Sequence, residues 1–581
     1  MQTQGMLVFL SLFFFVAYSS PPANPISCTF KGRNCTVVNS YGAFSDRATC
    51  VSSLVVYPTT EDELLYVVSE GTQARQKMRV VTRFSHSMTK LACADGENSR
   101  LISTEYLNKT LSIDKDAMTI TVESGVSLRQ LIEDAAKAGL ALRMAPYWWG
   151  LTVGGMMSTG AHGSSWEGEH GGTAFHDYVT EMRIVTPAAP DERYATLRVI
   201  NGNDLIELDA SRVSLGVFGV ISQVTVQLEL MFKRSLTYMT IKDTDLVETI
   251  ERHARRYEFA DMTWYPSLGK LVYRMDERVS VNISGNGSYN SIFFTAKPSD
   301  YLAFERSREE EMELQRNSEK ICTLAHDVPS SLSYISYGLT NNGTTYDGYP
   351  VIGKHSDLMS SGGCLDSKED GLATACPWDS RVKGQFFHKT TFTIPVENLK
   401  GFITDIKSLV KIEPKALCGL DLYNGFLIRY VQASSAYLGS EFEGVEFEFT
   451  YYRSRDPLIP RMHQDFLEEI EQMGLFKYGG LPHWGKNRNV AFINAVDKYK
   501  NAALFLEVKK MFDPLGLFSS EWTDAVLGLR GNITVDTEGC ALEGLCICSK
   551  DVHCSPSRGY FCRRGKIYKS AHVCTLEQSR M

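Results

Sequence analysis

Between residues 51 and 230 the chain alternates short β-rich runs with segments of helical period. The clearest unit begins at Thr119–Glu123 (TITVE), which reads as a strand, and Ser124-Gly125 turns the chain. Ser127 and Gln130 have the spacing of a capping box at the head of a helix. Leu128, Leu131, Ile132 and Ala135 lie on one face of that helix, and Gly139 stops it. Val80 and Val81 close an earlier buried strand, and further strands are predicted over 183–186 and 219–230. Residues 235–525 form a second unit, with strand candidates Lys389–Pro395 (KTTFTIP, Phe392 central), Phe426–Val431 and Val445–Tyr452. Helices predicted near 303–320, 396–410, 459–473 and 491–512 would pack on one side of that sheet. The expectation is an α+β fold.

The flanks differ in character. Residues Met6 to Val16 form a nearly unbroken apolar run, too short for a bilayer span of about 20 residues. With the small-residue site Ala17-Tyr18-Ser19 behind it, it reads as a signal peptide over 1–19, although no Lys or Arg precedes it. A lead-in over 20–50 holds Cys28, Cys35 and Cys50 and is expected to be cross-linked. The polar stretch from about 276 to 380 carries three N-x-[S/T] sequons with Cys322, Cys364 and Cys376, and reads as a glycosylated insertion. Within it, Glu309, Glu310, Glu311 and Glu313 read as a solvated helix face. Beyond 528, Cys540, Cys546, Cys548, Cys554, Cys562 and Cys574 crowd together. That density predicts a disulfide-stapled module of open connectivity. The spacing lacks paired C-x2-C knuckles, which argues against zinc, and no metal site is expected elsewhere. The expected units are therefore 51–232, 233–528 with its insertion, and a tail over 529–581.

The chain has 581 residues, 43% hydrophobic and 22% charged, with a net charge of −8. Nucleic acid is not an expected partner, and no membrane association is expected of the mature form. All 14 cysteines follow the apolar run, and six sequons occur at Asn34, Asn108, Asn282, Asn286, Asn342 and Asn532. Together these point to a secreted, extracellular glycoprotein with disulfide bonds.

Four runs carry candidate chemistry. In RVVTRFSHSMTKLACADG (79–96), a turn over Thr82, Arg83, Phe84 and Ser85 would set backbone N–H groups beside His86 and Ser87. Free N–H groups at a turn bind anions, and a neutral imidazole is a nucleophile. This suits a cofactor with a pyrophosphate and an electrophilic ring, although this run taken alone favours a surface histidine in a polar loop. In GLTVGGMMSTGAHGSS (150–165), Thr152-Val153 ends a strand, and Gly154, Gly155, Gly160 and Gly163 allow close approach of a flat ligand or a second backbone. Ser158, His162, Ser164 and Ser165 offer hydrogen bonds there. The chain contains no G-x-G-x-x-G fingerprint, so a bound dinucleotide would need a different fold. The run RVSLGVFGVISQVT (212–225) leads through glycines into a buried strand at Ile221. The run LPHWGKNRN (481–489) places His483, Trp484 and Lys486 in a tight turn, where Lys486 is either a surface cation or a charge that stabilises a developing anion.

In this order, HSMTKLACADG, TVGG…TGAH, R-x-x-LG-x-x-GVI, PHWGK and the closing FDPLGLFSSEW resemble one family over roughly residues 45–527. It is the vanillyl-alcohol-oxidase-type FAD flavoproteins, and within them the sugar-1,4-lactone oxidases. The lead-in, insertion and tail look like those of secreted plant gulonolactone-oxidase-like members. The resemblance implies a two-subdomain FAD-binding domain, an α+β substrate (cap) domain, and FAD joined covalently to His86. It implies that Thr82–Ser87 meet the pyrophosphate. Gly154, Gly155, Ser158, Gly160, His162, Gly163 and Ser164 would line the flavin, with Thr152 beside them, and Ile221 would contact its pyrimidine side. Pro146 aligns with a position that gates oxygen. On the substrate side the resemblance implies roles for Lys486, Glu446 and His483. The family strand V-E-x-R-x-T reads VEFEFT here, so Glu448 stands where an arginine is expected. The activity implied is oxidation of a sugar lactone at C2 with O2, giving ascorbate and hydrogen peroxide. Two other readings remain: oxidation or dehydrogenation of another polyol or sugar, and a non-catalytic wall- or glycan-binding protein acting through its tail.

Overall fold

The computed structural model describes residues 26–38, 50–82, 88–96, 98–147, 150–166, 172–289, 308–334, 336–359, 386–423, 425–454 and 456–577. The signal segment 1–19, Arg83–Ser87 with His86, and Cys364 and Cys376 lie outside the described residues.

The N-terminal half holds two five-stranded sheets. The first runs in the order Ile26–Phe30, Arg33–Val37, Cys50–Val56, Ser99–Ser103, Lys77–Val81, and its last three strands are mutually parallel. The second is antiparallel, in the order Ala195–Asn201, Val179–Pro187, Val220–Gln227, Thr119–Glu123, Thr110–Asp114. The helix Leu128–Lys137 buries Leu128, Leu131, Ile132 and Ala135, as its pattern predicts, and Gly139 follows its end at φ +83°. Only half of the capping box forms. Ser127 Oγ accepts from Gln130 N, whereas the Gln130 amide donates to Asn108 O.

The C-terminal half is built on an eight-stranded antiparallel sheet. Its strands run Val351–Lys354, Lys233–Lys242, Lys270–Val279, Asp261–Tyr265, Phe426–Val431, Gly444–Arg453, Phe386–Pro395 and Leu481–Pro482. Side chains alternate between its faces. Phe392, Phe426, Ile428, Tyr430, Val445, Phe447 and Phe449 pack on one face with Leu246, Ile250, Leu399, Phe402, Ile406 and Ile470 from the helices Leu246–Arg256, Leu399–Ile412 and Gln464–Gln472. The opposite face carries Lys389, Arg429, Glu446 and Glu448 toward the N-terminal half.

The stretch 276–380 is more than a surface insertion. Val351–Lys354 extends the large sheet on Lys233–Leu236, and the helix Ser318–Tyr334 is joined through Cys322–Cys418 to the short helix Cys418–Asp421. Short length and polar surroundings hide that strand from a reading of composition. Glu309 is buried against Arg461, so the acidic run is not wholly a solvated face. Thr152-Val153 begins a short helix, Val153–Ser158, rather than ending a strand. In the tail all six cysteines are paired as Cys540–Cys546, Cys548–Cys562 and Cys554–Cys574, and the lead-in is stapled by Cys28–Cys35 and Cys50–Cys93. Among the described residues no helix is long and apolar enough to cross a membrane.

Arg79 holds the N-terminal half to the C-terminal segment. Its side chain is 2% exposed and donates to Leu91 O (3.0 Å), Leu215 O (2.9 Å), Gly216 O (3.0 Å) and Phe518 O (2.7 Å). Burial pushes its pKa down to about 10. Arg79→Met should leave four buried carbonyls unpaired. Each orphaned group costs about 1–3 kcal/mol, so thermal unfolding should show a loss of several kcal/mol. A loss below about 1 kcal/mol would show that the four segments hold without it.

Candidate active site

Two cavities share Thr159 in their walls. The first, a solvent-connected cleft of about 750 Å³, lies in the N-terminal half. Thr82, Gly154, Gly155, Ser158, Gly219 and Ile221 line it, with Arg79 in its wall. The chain comes very close to itself at Gly219, where φ is +147° and a Cβ would stand 2.3 Å from Val185 O. No other residue fits there. Two buried hydroxyls on the wall, Thr104 Oγ1 and Ser124 Oγ, have no protein partner among the described residues. Buried polar atoms are nearly always bonded in a completed site, so these donors fit a ligand rich in acceptor oxygens, as FAD is.

The second cavity, about 480 Å³, lies between the halves and is lined by Thr159, Gly160, His162, His176, Gln432, Ser434, Glu446, His483, Trp484 and Tyr499, among others. Its floor is a buried charge cluster on the large sheet. His162 Nε2 lies 2.7 Å from Glu446 Oε2, and its Nδ1 2.9 Å from Gly163 O. Arg429, directly across from Glu446 on the neighbouring strand, donates to Glu446, to Glu448 (3.0 Å) and to His162 O (3.3 Å). Glu448 also binds Lys486 and Lys389. Burial alone would raise both carboxyls. Arg429 and His162 hold Glu446 well below the usual carboxylate range, and Lys389, Lys486 and Arg429 do the same for Glu448. Burial brings Lys486 down to about 8 against the opposing pull of Glu448.

The loop Leu481–Asn489 is pinned by Asn487, which accepts from Thr391 N (2.7 Å) and donates to Thr391 O (2.8 Å). Gly485 N–H donates to His483 Nδ1 at 3.0 Å. Burial, with Lys486 nearby, keeps that ring neutral. Its one proton therefore sits on Nε2, and His483 serves the cavity as a donor rather than as a base.

The residues singled out in the sequence fall into three groups. Thr82, Gly154, Gly155, Ser158 and Ile221 line the cleft; Gly160, His162, Glu446 and His483 line the cavity; and Lys486 reaches the charge cluster beneath it. Thr152, Gly163, Ser164 and Pro146 line neither. Thr152 Oγ1 caps the short helix, accepting from Gly155 N. A Cβ on Gly163 would stand 3.2 Å from Ala145 O, and Pro146 is buried. Ser164 Oγ donates to Ala260 O and accepts from Tyr430 N, which ties the loop to the large sheet. Arg83, Phe84, Ser85, His86 and Ser87 lie outside the described residues. Arg429 and Lys389 belong to the site although sequence reading did not single them out. Alternation in FLIRYV and KTTFTIP would have found them, since apolar Phe426, Ile428 and Phe392 leave both cations on the other face.

Comparison with known proteins agrees with this geometry. A profile of the FAD binding domain matches residues 52–189, one of D-arabinono-1,4-lactone oxidase matches 224–526, and one of the L-gulonolactone oxidase 2-like C-terminal domain matches 537–576. The chain is 58% identical to probable L-gulonolactone oxidase 6 of Arabidopsis thaliana, across 97% of this chain and 94% of that one. It is 56% identical to L-gulonolactone oxidase 2 of the same plant, across 98% and 96%. Among solved structures, a solvent-stable cholesterol oxidase superposes with a TM-score of 0.64 at 16% identity, covering 88% of this chain and 98% of that one, a likeness of fold. Profiles that match both halves of the chain, and relatives 58% and 56% identical across nearly its whole length, place the protein in the family of FAD-dependent sugar-lactone oxidases typified by the plant L-gulonolactone oxidases.

Proposed function

We propose that the protein oxidises L-gulono-1,4-lactone at C2 with O2 as acceptor, yielding the 2-keto-lactone that enolises to ascorbate, and hydrogen peroxide. The observation that supports this reading is the wall shared at Thr159, which sets beside the cleft a cavity bordered by imidazole, amide, hydroxyl and carboxylate groups. Such a wall suits a neutral polyhydroxylated ring. FAD, when bound, supplies the two-electron acceptor that O2 regenerates. His86 is proposed as its covalent attachment point.

The chain's own residues orient the substrate and manage its proton. Glu446, held ionised, accepts from a substrate hydroxyl, and His483 Nε2–H donates to a ring oxygen. Lys486, cationic below about pH 8, stabilises the negative charge that grows on the C2 oxygen as its proton leaves. Apolar Trp484 and Tyr499 on the same wall limit water. Glu448 at the arginine position favours a second reading, in which another sugar lactone or polyol is the preferred substrate. Export is part of the proposal, supported by six sequon asparagines that are all exposed.

Anaerobic L-gulono-1,4-lactone should bleach the flavin absorbance of the purified protein. Bleaching by other lactones or polyols alone would move the assignment to the second reading. Turnover should fall as pH rises through about 8, because Lys486 loses its charge there, and Lys486→Arg should move the fall upward. A rise through pH 8 would instead make Lys486 the base. Glu448→Gln should destabilise the fold by about 3–5 kcal/mol in urea, since it strips buried Arg429 and the half-buried Lys389 and Lys486 of a shared partner. After acid precipitation of wild type, flavin fluorescence should remain with the protein and should be lost in His86→Ala. Release from wild type would refute the covalent link.

A further inference from the structure

The tail is packed against the loop that carries Lys486. Helix Gln464–Gln472 is buried along its whole length, and its polar side chains receive the tail's backbone. Glu469 accepts from the amides of Lys566, Ile567 and Tyr568 (each 2.6 Å), and Glu468 accepts from Cys574 N (2.9 Å). Gln472 exchanges two hydrogen bonds with the backbone of His572. With the module fixed on that helix, its other edge reaches residues just past Lys486. Gly544 O accepts from Val490 N at 3.0 Å, and Ile533 O, just before the module, accepts from Asn489 Nδ2 at 2.7 Å. Arg488, ion-paired with Glu471, lies directly under Gly544. A Cβ there would stand 2.6 Å from Arg488 Nε, and φ at Gly544 is +65°. Glu543 binds Arg453 at 3.2 Å. The Cys540–Cys546 disulfide closes the short loop that carries both Glu543 and Gly544. Asn489 Oδ1 in turn accepts from Lys90 Nζ at 3.2 Å, beside Leu91 and Ala92 of the cleft wall.

We infer that the cysteine-rich module is a positioning element of the active site, with Gly544 and the Cys540–Cys546 loop setting the place of the Lys486 loop. It acts through Arg488, Asn489 and Val490 and touches no substrate. A backbone shift of about 1 Å at a reacting group can cost about 100-fold in rate, so a loose clamp is expected to lower turnover without emptying the cofactor cleft. The consequence for catalysis rests on the role given to Lys486 above; the mechanical claim does not.

The test uses the full-length holoenzyme, as wild type, Gly544→Val and the double variant Cys540→Ser/Cys546→Ser. Hydrogen exchange of amides 485–491 should be at least about tenfold faster in both variants, because the opening that exposes them is no longer held shut. Flavin content should be unchanged, and the rate of flavin reduction per bound flavin should fall about tenfold or more. Unchanged exchange in 485–491 in the double variant overturns the inference, even if Gly544→Val fails to fold. Faster exchange with an unchanged rate per flavin upholds the clamp and removes Lys486 from the chemistry. Flavin loss with an unchanged rate in the remaining holoenzyme would make the module a general stabiliser and overturn the inference.

Discussion

Three cations converge on the carboxylate of Glu448, and much of the molecule is arranged to let them. Lys389, Arg429 and Lys486 come from two strands and a loop, and Arg429 also holds Glu446. Taking each of these ions out of water costs several kcal/mol unless its partners are exact in place. The sheet register is therefore tightly specified. A slip of one residue in Gly444–Arg453 would turn Glu446 and Glu448 into the helix-covered apolar face and bring Phe447 to the cavity. Two negative and three positive charges leave a net positive floor, the sign suited to a developing alkoxide.

The same sheet fixes the geometry between the two halves. Residues of 162–166 and 172–176 are bonded along Phe426–Val431 and into the residues that follow it. Ser165 N donates to Tyr430 O (3.0 Å), Gln432 N donates to Thr173 Oγ1 (2.9 Å), and the Trp166 indole donates to Gly444 O (2.9 Å). His176 meets Ser434 at 3.1 Å. The glycine-rich run thus does two jobs. Its first part, through Ser158, faces the cofactor cleft, and its second part is a seam that holds the cavity against the cleft. Loss of the seam would separate the cleft from the charge cluster beneath the cavity.

Local pattern was readable where one element decides its own structure. TITVE, the helix after Ser127, FLIRYV and the run around VEFEFT all appear as expected because their apolar periods match their burial. Thr152–Ser158 misled because glycines weaken helix and strand propensity alike, so capping by Thr152 decides the outcome. The pairing of Val351–Lys354 with Lys233–Leu236 joins residues more than a hundred positions apart, and no local period announces it. The same holds for Ser164, whose hydroxyl reads as a ligand contact until its two backbone partners are seen. Cation positions were half legible. Strand alternation puts Arg429 and Lys389 on the right face, but only the fold brings them to one carboxylate.

The hydrogen bonds from Asn489 to Ile533 and from Val490 to Gly544 also bear on synthesis. A ribosome delivers the chain in order, and domains fold largely as they emerge. Cleft residues from Arg79 to Ser158 arrive first, then His162, then Gly219 and Ile221 of the cleft, then Arg429 and Glu446, then Lys486. The contacts that brace the Lys486 loop come from Ile533 and Gly544, which are made after the loop itself. The cleft wall waits as well, because Arg79 is held by Phe518, which is also made after Lys486. An oxidase assembled in this order has its Lys486 loop fully braced only when residues 533–546 have been made and Cys540 has joined Cys546.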